Sequence, residues 1–171
     1  MRVNVIEKEV MNPLAETAAN KIKISPIPEK INKITYFDNT KPNADIILNT
    51  MRGNMSIDSI DAQKPAGDGA TEEQIKKAHK GDVVILALGD CGSCTTWVIL
   101  DAVRLEKEGK PTICICTHKF ADYGKSLAKA QGAEDLRIIE IDHPIAGLKE
   151  DEVKLKTEKI IPEIKKLLKL H

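Results

Sequence analysis

From residue 33 onward, short aliphatic runs alternate with segments whose apolar positions recur every three or four places. Residues 33–37 (KITYF) predict a first strand. Asp38 to Pro42 reads as a turn, and Ala44, Ile47, Leu48 and Met51 give helical spacing over 43–51. Residues 55–61 predict a second strand, and 64–69 predict a loop containing two glycines and a proline. Thr71-Glu-Glu-Gln74 has the form of a capping box and opens a helix to about residue 79. Residues 83–88 (VVILAL) are apolar without a break, which suits a central parallel strand covered on both faces. A helix over 93–108 ends at Gly109, a strand follows at 111–116, and a helix over 120–130 ends at Gly132. Residues 137–141 predict the last strand, and 149–170 a charged helix bent at Pro162.

Strands that alternate with helices build βαβ units around a largely parallel sheet. The expected fold is therefore α/β, a single three-layer domain of flavodoxin or Rossmann type. The catalytic domain is expected over 31–148. Residues 1–30 read as an N-terminal arm, with a short helix near 14–20 and Pro13, Pro26 and Pro28, that packs on a partner subunit. Residues 149–171 read as a C-terminal helix. Ligands of such sheets sit at the carboxyl ends of the strands. The segments there are 38–43, the loop at Lys64, 90–96, 117–122 and His143-Pro144, and they hold most of the unusual polar residues.

Composition narrows the class. The chain has 171 residues, enough for one domain with a substantial core. Lysine plus arginine and aspartate plus glutamate number 26 each, and aromatics are 3%, so neither a basic field nor stacking platforms favour nucleic acid. No apolar run reaches the ~20 residues that span a bilayer, so no membrane association is expected. The opening MRVNVIEKEV lacks the apolar stretch of a secretory signal, and a cytoplasmic location is expected. Four cysteines in that setting point to redox chemistry, metal or burial rather than structural disulfides.

Cys91-Gly92-Ser93-Cys94 is the segment that carries chemistry. It lies where the buried strand hands over to a helix, whose first turn offers free N–H groups and a positive dipole end. A thiolate there is stabilised. Cys91, outside the helix, is the expected nucleophile, and Cys94 the resolving thiol that closes a disulfide. Gly92 permits the tight turn, Ser93 caps the helix or donates to sulfur, and Thr95 adds a hydroxyl. Cys114 and Cys116 share one face of a strand and read as core residues. A zinc site of four cysteines does not fit that rigid spacing, and no metal is expected.

Asp38, Asn39, Lys41 and Asn43, with Lys64, Gly92, Ser93, Thr95, Thr117, His118 and His143, are the expected substrate-binding residues. Lys41 and Lys64 suit a carboxylate, Asn43 also suits a helix cap, and the histidines suit acid–base work. Asp101, two helical turns past Cys94, is not expected to act directly. Trp97 is expected near the pocket floor, and His79 and His171 in solvent. No G-x-G-x-x-G or G-x-x-x-x-G-K-[ST] occurs, so no nucleotide cofactor is expected. Flavin stays open, since flavodoxin-like folds bind it through variable loops.

The stretch GDCGSCTTWVILDAVRLEKEGKPTICICTHKF, the later IDHPIAGL, and the earlier FDNTKPNAD and QKPAG together resemble the UGSC-motif family of selenoproteins and their cysteine homologues. Cys91 takes the selenocysteine position. More distantly, the arrangement is similar to the selenoprotein subunits of glycine, sarcosine, betaine and D-proline reductases, where the selenolate attacks in reductive cleavage of a carbon–nitrogen bond. Ile145 and the inserted Ala146 depart from the H-P-L-G-like segment of those subunits. The resemblance implies a nucleophilic or redox role for Cys91. The resulting expectation is a thiol-dependent reductase acting on a small electrophile, with an external dithiol as reductant. The alternatives are a non-redox cysteine-nucleophile lyase, hydrolase or transferase, and a subunit of a larger reductase complex or homo-oligomer.

Overall fold

A computed structural model describes residues 20–170. All but the last residue of the helix expected near 14–20, and His171, lie outside the described residues.

Five strands form one sheet: β1 (Lys33–Asp38), β2 (Asp58–Gln63), β3 (Val83–Gly89), β4 (Thr112–Thr117) and β5 (Arg137–Ile141). Their order is β2-β1-β3-β4-β5 and every pairing is parallel. This is the strand order of flavodoxin-like folds. The helices are α1 (Ala44–Gly53), α2 (Glu72–Ala78), α3 (Gly92–Lys107), α4 (His118–Ala130) and α5 (Glu150–Leu167).

The period-two alternation of strand side chains divides the interior in two. Ile34, Tyr36, Ile85, Ile113 and Ile139 face α1 and α5, where they meet Ile47, Met51, Val153 and Ile164. Phe37, Val84, Leu86, Cys114 and Cys116 face the other way, toward Ile75, Val98, Ile99 and Ala121. All seven residues of β3 are buried, as its unbroken apolar run predicts. Its register against β4 slips between Ala87 and Gly89, immediately before Asp90.

Several expected boundaries move for physical reasons. The second strand runs from Asp58, not from 55, because Met55 is drawn into the α1 side of the core beside the Tyr36 hydroxyl (3.7 Å from its Sδ). The fourth helix opens at His118 rather than at 120, with Thr117 as its N-cap residue, so strand and helix join without a loop. The last helix runs continuously through Pro162, its inner face held by Val153, Ile160, Ile161 and Ile164. Thr71 and Gln74 form the reciprocal capping box, with bonds of 3.3 and 2.8 Å.

The segment 20–32 packs on its own chain. Ile22 and Ile24 lie against one core cluster, and Ile27 and Ile31 against the other. Glu106, fully buried in its side chain, anchors it: the Ser25 N–H donates to one carboxylate oxygen at 2.7 Å, and Thr112 N–H and Arg137 donate to the other at 2.8 and 3.0 Å. Arg137 also donates to the Ser25 carbonyl at 2.6 Å. These four isoleucines, each half-buried, therefore place part of their apolar surface against their own domain. No helix among the described residues is long and apolar enough to cross a membrane.

Candidate active site

Because all five strands run the same way, the segments after them share one edge of the sheet. The chain leaves β1 toward β2 and β3 toward β4, on opposite sides, so a crevice opens between the ends of β1 and β3. Lys41 follows β1 and Cys91 follows β3. The Lys41 ammonium stands 3.6 Å from Cys91 Sγ.

Cys91 is the N-cap of α3, and its sulfur accepts the Cys94 N–H at 3.4 Å. A sixteen-residue helix thus points its positive end at that sulfur. Ser93 Oγ lies 3.7 Å away. Cys91 is half-buried, whereas Cys94 is 1% exposed and its sulfur accepts the Asp90 N–H at 3.2 Å. The Cys91 and Cys94 sulfurs lie against each other, with Cα atoms 5.5 Å apart, within the span of a disulfide. Gly92 has no positive φ, and a Cβ there would meet nothing within 4 Å. The expected need for a tight turn is therefore corrected: the position is exposed and has room for a side chain.

A second cluster adjoins the first through Asp90. Its Oδ1 is 2.8 Å from His143 Nδ1, and its Oδ2 accepts the Ile145 and Ala146 N–H groups at 3.2 and 2.8 Å. Thr117 Oγ1 lies 3.2 Å from the same His143 nitrogen and donates to the Gly89 carbonyl at 3.4 Å. His118, exposed, accepts the His143 N–H on Nδ1 at 3.2 Å.

Other expected substrate contacts turn inward. Lys64 is 1% exposed, and its ammonium is paired with Asp101, away from solvent. Asn39 is fully buried; its amide donates to the Leu88 carbonyl at 2.9 Å and accepts the Leu88 N–H at 2.8 Å, clamping the two loops that carry Lys41 and Cys91. Asn43 occupies the N-cap of α1 at φ 71° without a side-chain cap bond; its amide holds the carbonyls of Ile145 and Leu148 at 2.9 and 3.1 Å. Thr95 is buried and donates to the Cys91 carbonyl at 2.7 Å. Asn39, Lys64 and Thr95 are buried and position the edge, and Asn43, half-buried, ties it to the loop after β5. Trp97 lies against Gly69, beside the loop after β2. His79 is half-buried, 2.8 Å from Glu108, rather than free in solvent.

Asp38 accepts the Thr40 N–H at 2.6 Å and a Gln63 amide hydrogen at 3.3 Å. Burial nonetheless raises its carboxyl above the ordinary value. It lines a cleft of about 270 Å³ with Tyr36, Asp45, Arg52, Asp61 and Lys77, whose walls include neither Cys91 nor Cys94. Cys114 and Cys116 are fully buried; burial drives both thiols up, Cys116 to about 12. Among the described residues no cluster of three or more His, Cys, Asp or Glu is arranged to hold a metal.

Sequence reasoning missed Asp90, and for Asp101 it weighed only a direct role and missed the pairing with Lys64. The available signal for Asp90 was a carboxylate at the end of a wholly apolar strand, one place before Cys91. Asp101 was visible only as an acid on the inner face of an otherwise apolar helix.

A parallel five-stranded α/β domain with paired cysteines at a helix mouth defines the class of fold and site. The UGSC family matches residues 9–170, and the chain belongs to that family. No curated protein matches significantly. Among solved structures, a Streptococcus pneumonia TIGR4 flavodoxin matches 77% of this chain and 95% of its own at 15% identity and a TM-score of 0.41. A short-chain flavodoxin associated with a PDU bacterial microcompartment matches 80% and 97% at 14% identity and a TM-score of 0.42. The fold assignment here rests on strand order and direction.

Proposed function

We propose that this chain is a thiol-dependent reductase of a small electrophile, with Cys91 as nucleophile and Cys94 as resolving thiol. The observation that carries the reading is the Lys41 ammonium at 3.6 Å from a sulfur already seated at the N-cap of α3. A cation and a helix N-terminus together favour the thiolate, the reactive form of cysteine. In the cycle, the Cys91 thiolate forms a bond to an electrophilic atom of the substrate. The Cys94 thiol then attacks the Cys91 sulfur. The S–S bond forms, the sulfur–substrate bond breaks, and its electron pair leaves with the reduced product, which takes up a proton. An external dithiol returns two electrons to the disulfide. Lys41, Ser93, His118 and His143 face the substrate, and no bound cofactor enters the cycle.

The test is alkylation of the reduced protein by iodoacetamide across pH. Cys91 is expected to react with an apparent pKa below the free value of ~8.5. Lys41→Met is expected to cut the rate near neutrality about tenfold, the effect of removing one adjacent opposite charge. A wild-type profile like that of free cysteine, unmoved by Lys41→Met, ends the reading. Turnover that survives Cys94→Ser without added reductant replaces it with non-redox group transfer.

A further inference from the structure

The side-chain cluster next to the cysteines has the elements of a proton donor. Asp90 is 2% exposed in its side chain, and its carboxylate is already held by two backbone N–H groups. That fixed carboxylate accepts from His143 Nδ1 at 2.8 Å. The Thr117 hydroxyl, also near Nδ1, is directed to the Gly89 carbonyl. His143 is therefore locked in one ring orientation with Nδ1 as donor. In the imidazolium form, Nε2–H is the ring proton without a partner among the described residues, on a side chain that remains 30% exposed. Asp90 immediately precedes Cys91 in the chain, and its own N–H donates to Cys94 Sγ. One residue thus ties the imidazole and the thiol pair into a single unit.

We propose that His143 is the general acid of the Cys91 reaction, that Asp90 is its positioning residue, and that the substrate class is electrophiles whose leaving atom is an oxygen or nitrogen that departs as a strong base. This deepens the Cys91 reading and rests on it. For a hydroperoxide the step balances as follows. The Cys91 thiolate attacks the terminal oxygen; an S–O bond forms and the O–O bond breaks. The O–O electron pair goes to the departing oxygen, which takes the His143 Nε2 proton and leaves as an alcohol. Cys91 becomes a sulfenic acid and His143 a neutral imidazole. Cys94 then attacks the Cys91 sulfur, a disulfide forms and water leaves. The two thiols supply the two electrons, and an external dithiol restores them. A leaving group that is already a weak base, such as iodide, needs no proton and gains nothing from His143.

The experiment uses that difference on the full reduced chain, with iodoacetamide and cumene hydroperoxide as probes of one sulfur. His143→Asn keeps an N–H near the Nδ1 position for Asp90 but removes Nε2. The expected result is a hydroperoxide rate lowered ~10²-fold more than the iodoacetamide rate, the lower range for general acid–base catalysis; any loss of thiolate lowers both reactions alike and cancels in that ratio. Equal hydroperoxide rates in variant and wild type, or equal proportional loss of both reactions, overturn the proposal: the first shows no proton donation, the second only structural damage. Wild-type Cys91 no more reactive than free cysteine toward iodoacetamide removes the nucleophile and this proposal with it. A reactive Cys91 indifferent to His143→Asn removes only the general acid.

Discussion

Lys64 and Asp101 form an ion pair in the interior, with side chains 0% and 6% exposed. The other Asp101 oxygen accepts the Ala70 N–H at 2.9 Å, so the pair pins both ends of the 64–70 loop to α3. The Lys64 backbone reaches further: its N–H donates to the Asp38 carbonyl at 2.8 Å, and its carbonyl accepts the Thr40 hydroxyl at 3.2 Å. The pair therefore braces the turn that delivers Lys41. Removing one member strands the other without water. Lys64→Met is expected to cost about 3 kcal/mol in denaturant unfolding. Lys64→Met with Asp101→Leu is expected to recover most of that loss, because no buried charge is left unpaired. A double variant as unstable as the single one argues against an energetic link between these groups.

Thiol counting separates the two cysteine pairs. Cys116, pushed to about 12, and Cys114, raised by the same burial, stay thiols at pH 8. Mass spectrometry after brief alkylation of the reduced native protein should find modification at Cys91, with Cys114 and Cys116 unmodified. Denaturation should expose all four cysteines. Native labelling of Cys114 or Cys116 contradicts the packing of β4.

Gly92 bears on access rather than on backbone strain. Its φ suits any residue and a Cβ meets nothing, so Gly92→Ala should stabilise the fold by about 0.5 kcal/mol by restricting the unfolded chain. The added methyl group sits on the exposed residue next to Cys91 and is expected to narrow the approach to its sulfur. N-ethylmaleimide should therefore slow more than the smaller iodoacetamide. Equal effects on both reagents rule out an access role.

Asp38 supplies a pH signature. Its folded carboxyl sits above the ordinary 3.8 because burial disfavours the charge. The folded state then binds the proton more tightly than the unfolded state. This contribution is fully present below the unfolded value and is lost as pH rises through the raised one. Asp38→Asn has no such proton to lose, so the variant should gain stability relative to wild type as pH increases across that window. Urea denaturation between about pH 3 and 7 reads the difference. A gap that narrows in the opposite direction shows that the hydrogen bonds from Thr40 and Gln63 outweigh burial.

Much of the architecture was written in local pattern. The apolar run of β3, the capping box at Thr71 and the helical spacing of α1 are short-range signals, and each produced its element. Alternation of strands and helices was enough to require parallel strands and hence a shared edge. The Cys91–Cys94 segment was legible for the same reason: two thiols at a strand-to-helix junction need only the local turn to meet.

What local pattern could not decide was the direction of each polar side chain at that edge. Lys41 and Lys64 both follow strands and look alike in the chain. Only the packing of α3 supplies Asp101 beneath Lys64, and only the strand order puts Lys41 beside Cys91. Asp90 looked like a spacer until the loop after β5 folded across it and brought His143. Secondary structure arises from neighbours in sequence and is readable there. A lysine's choice between a carboxylate in the core and a sulfur at the surface depends on elements far along the chain, so tertiary structure alone decides it.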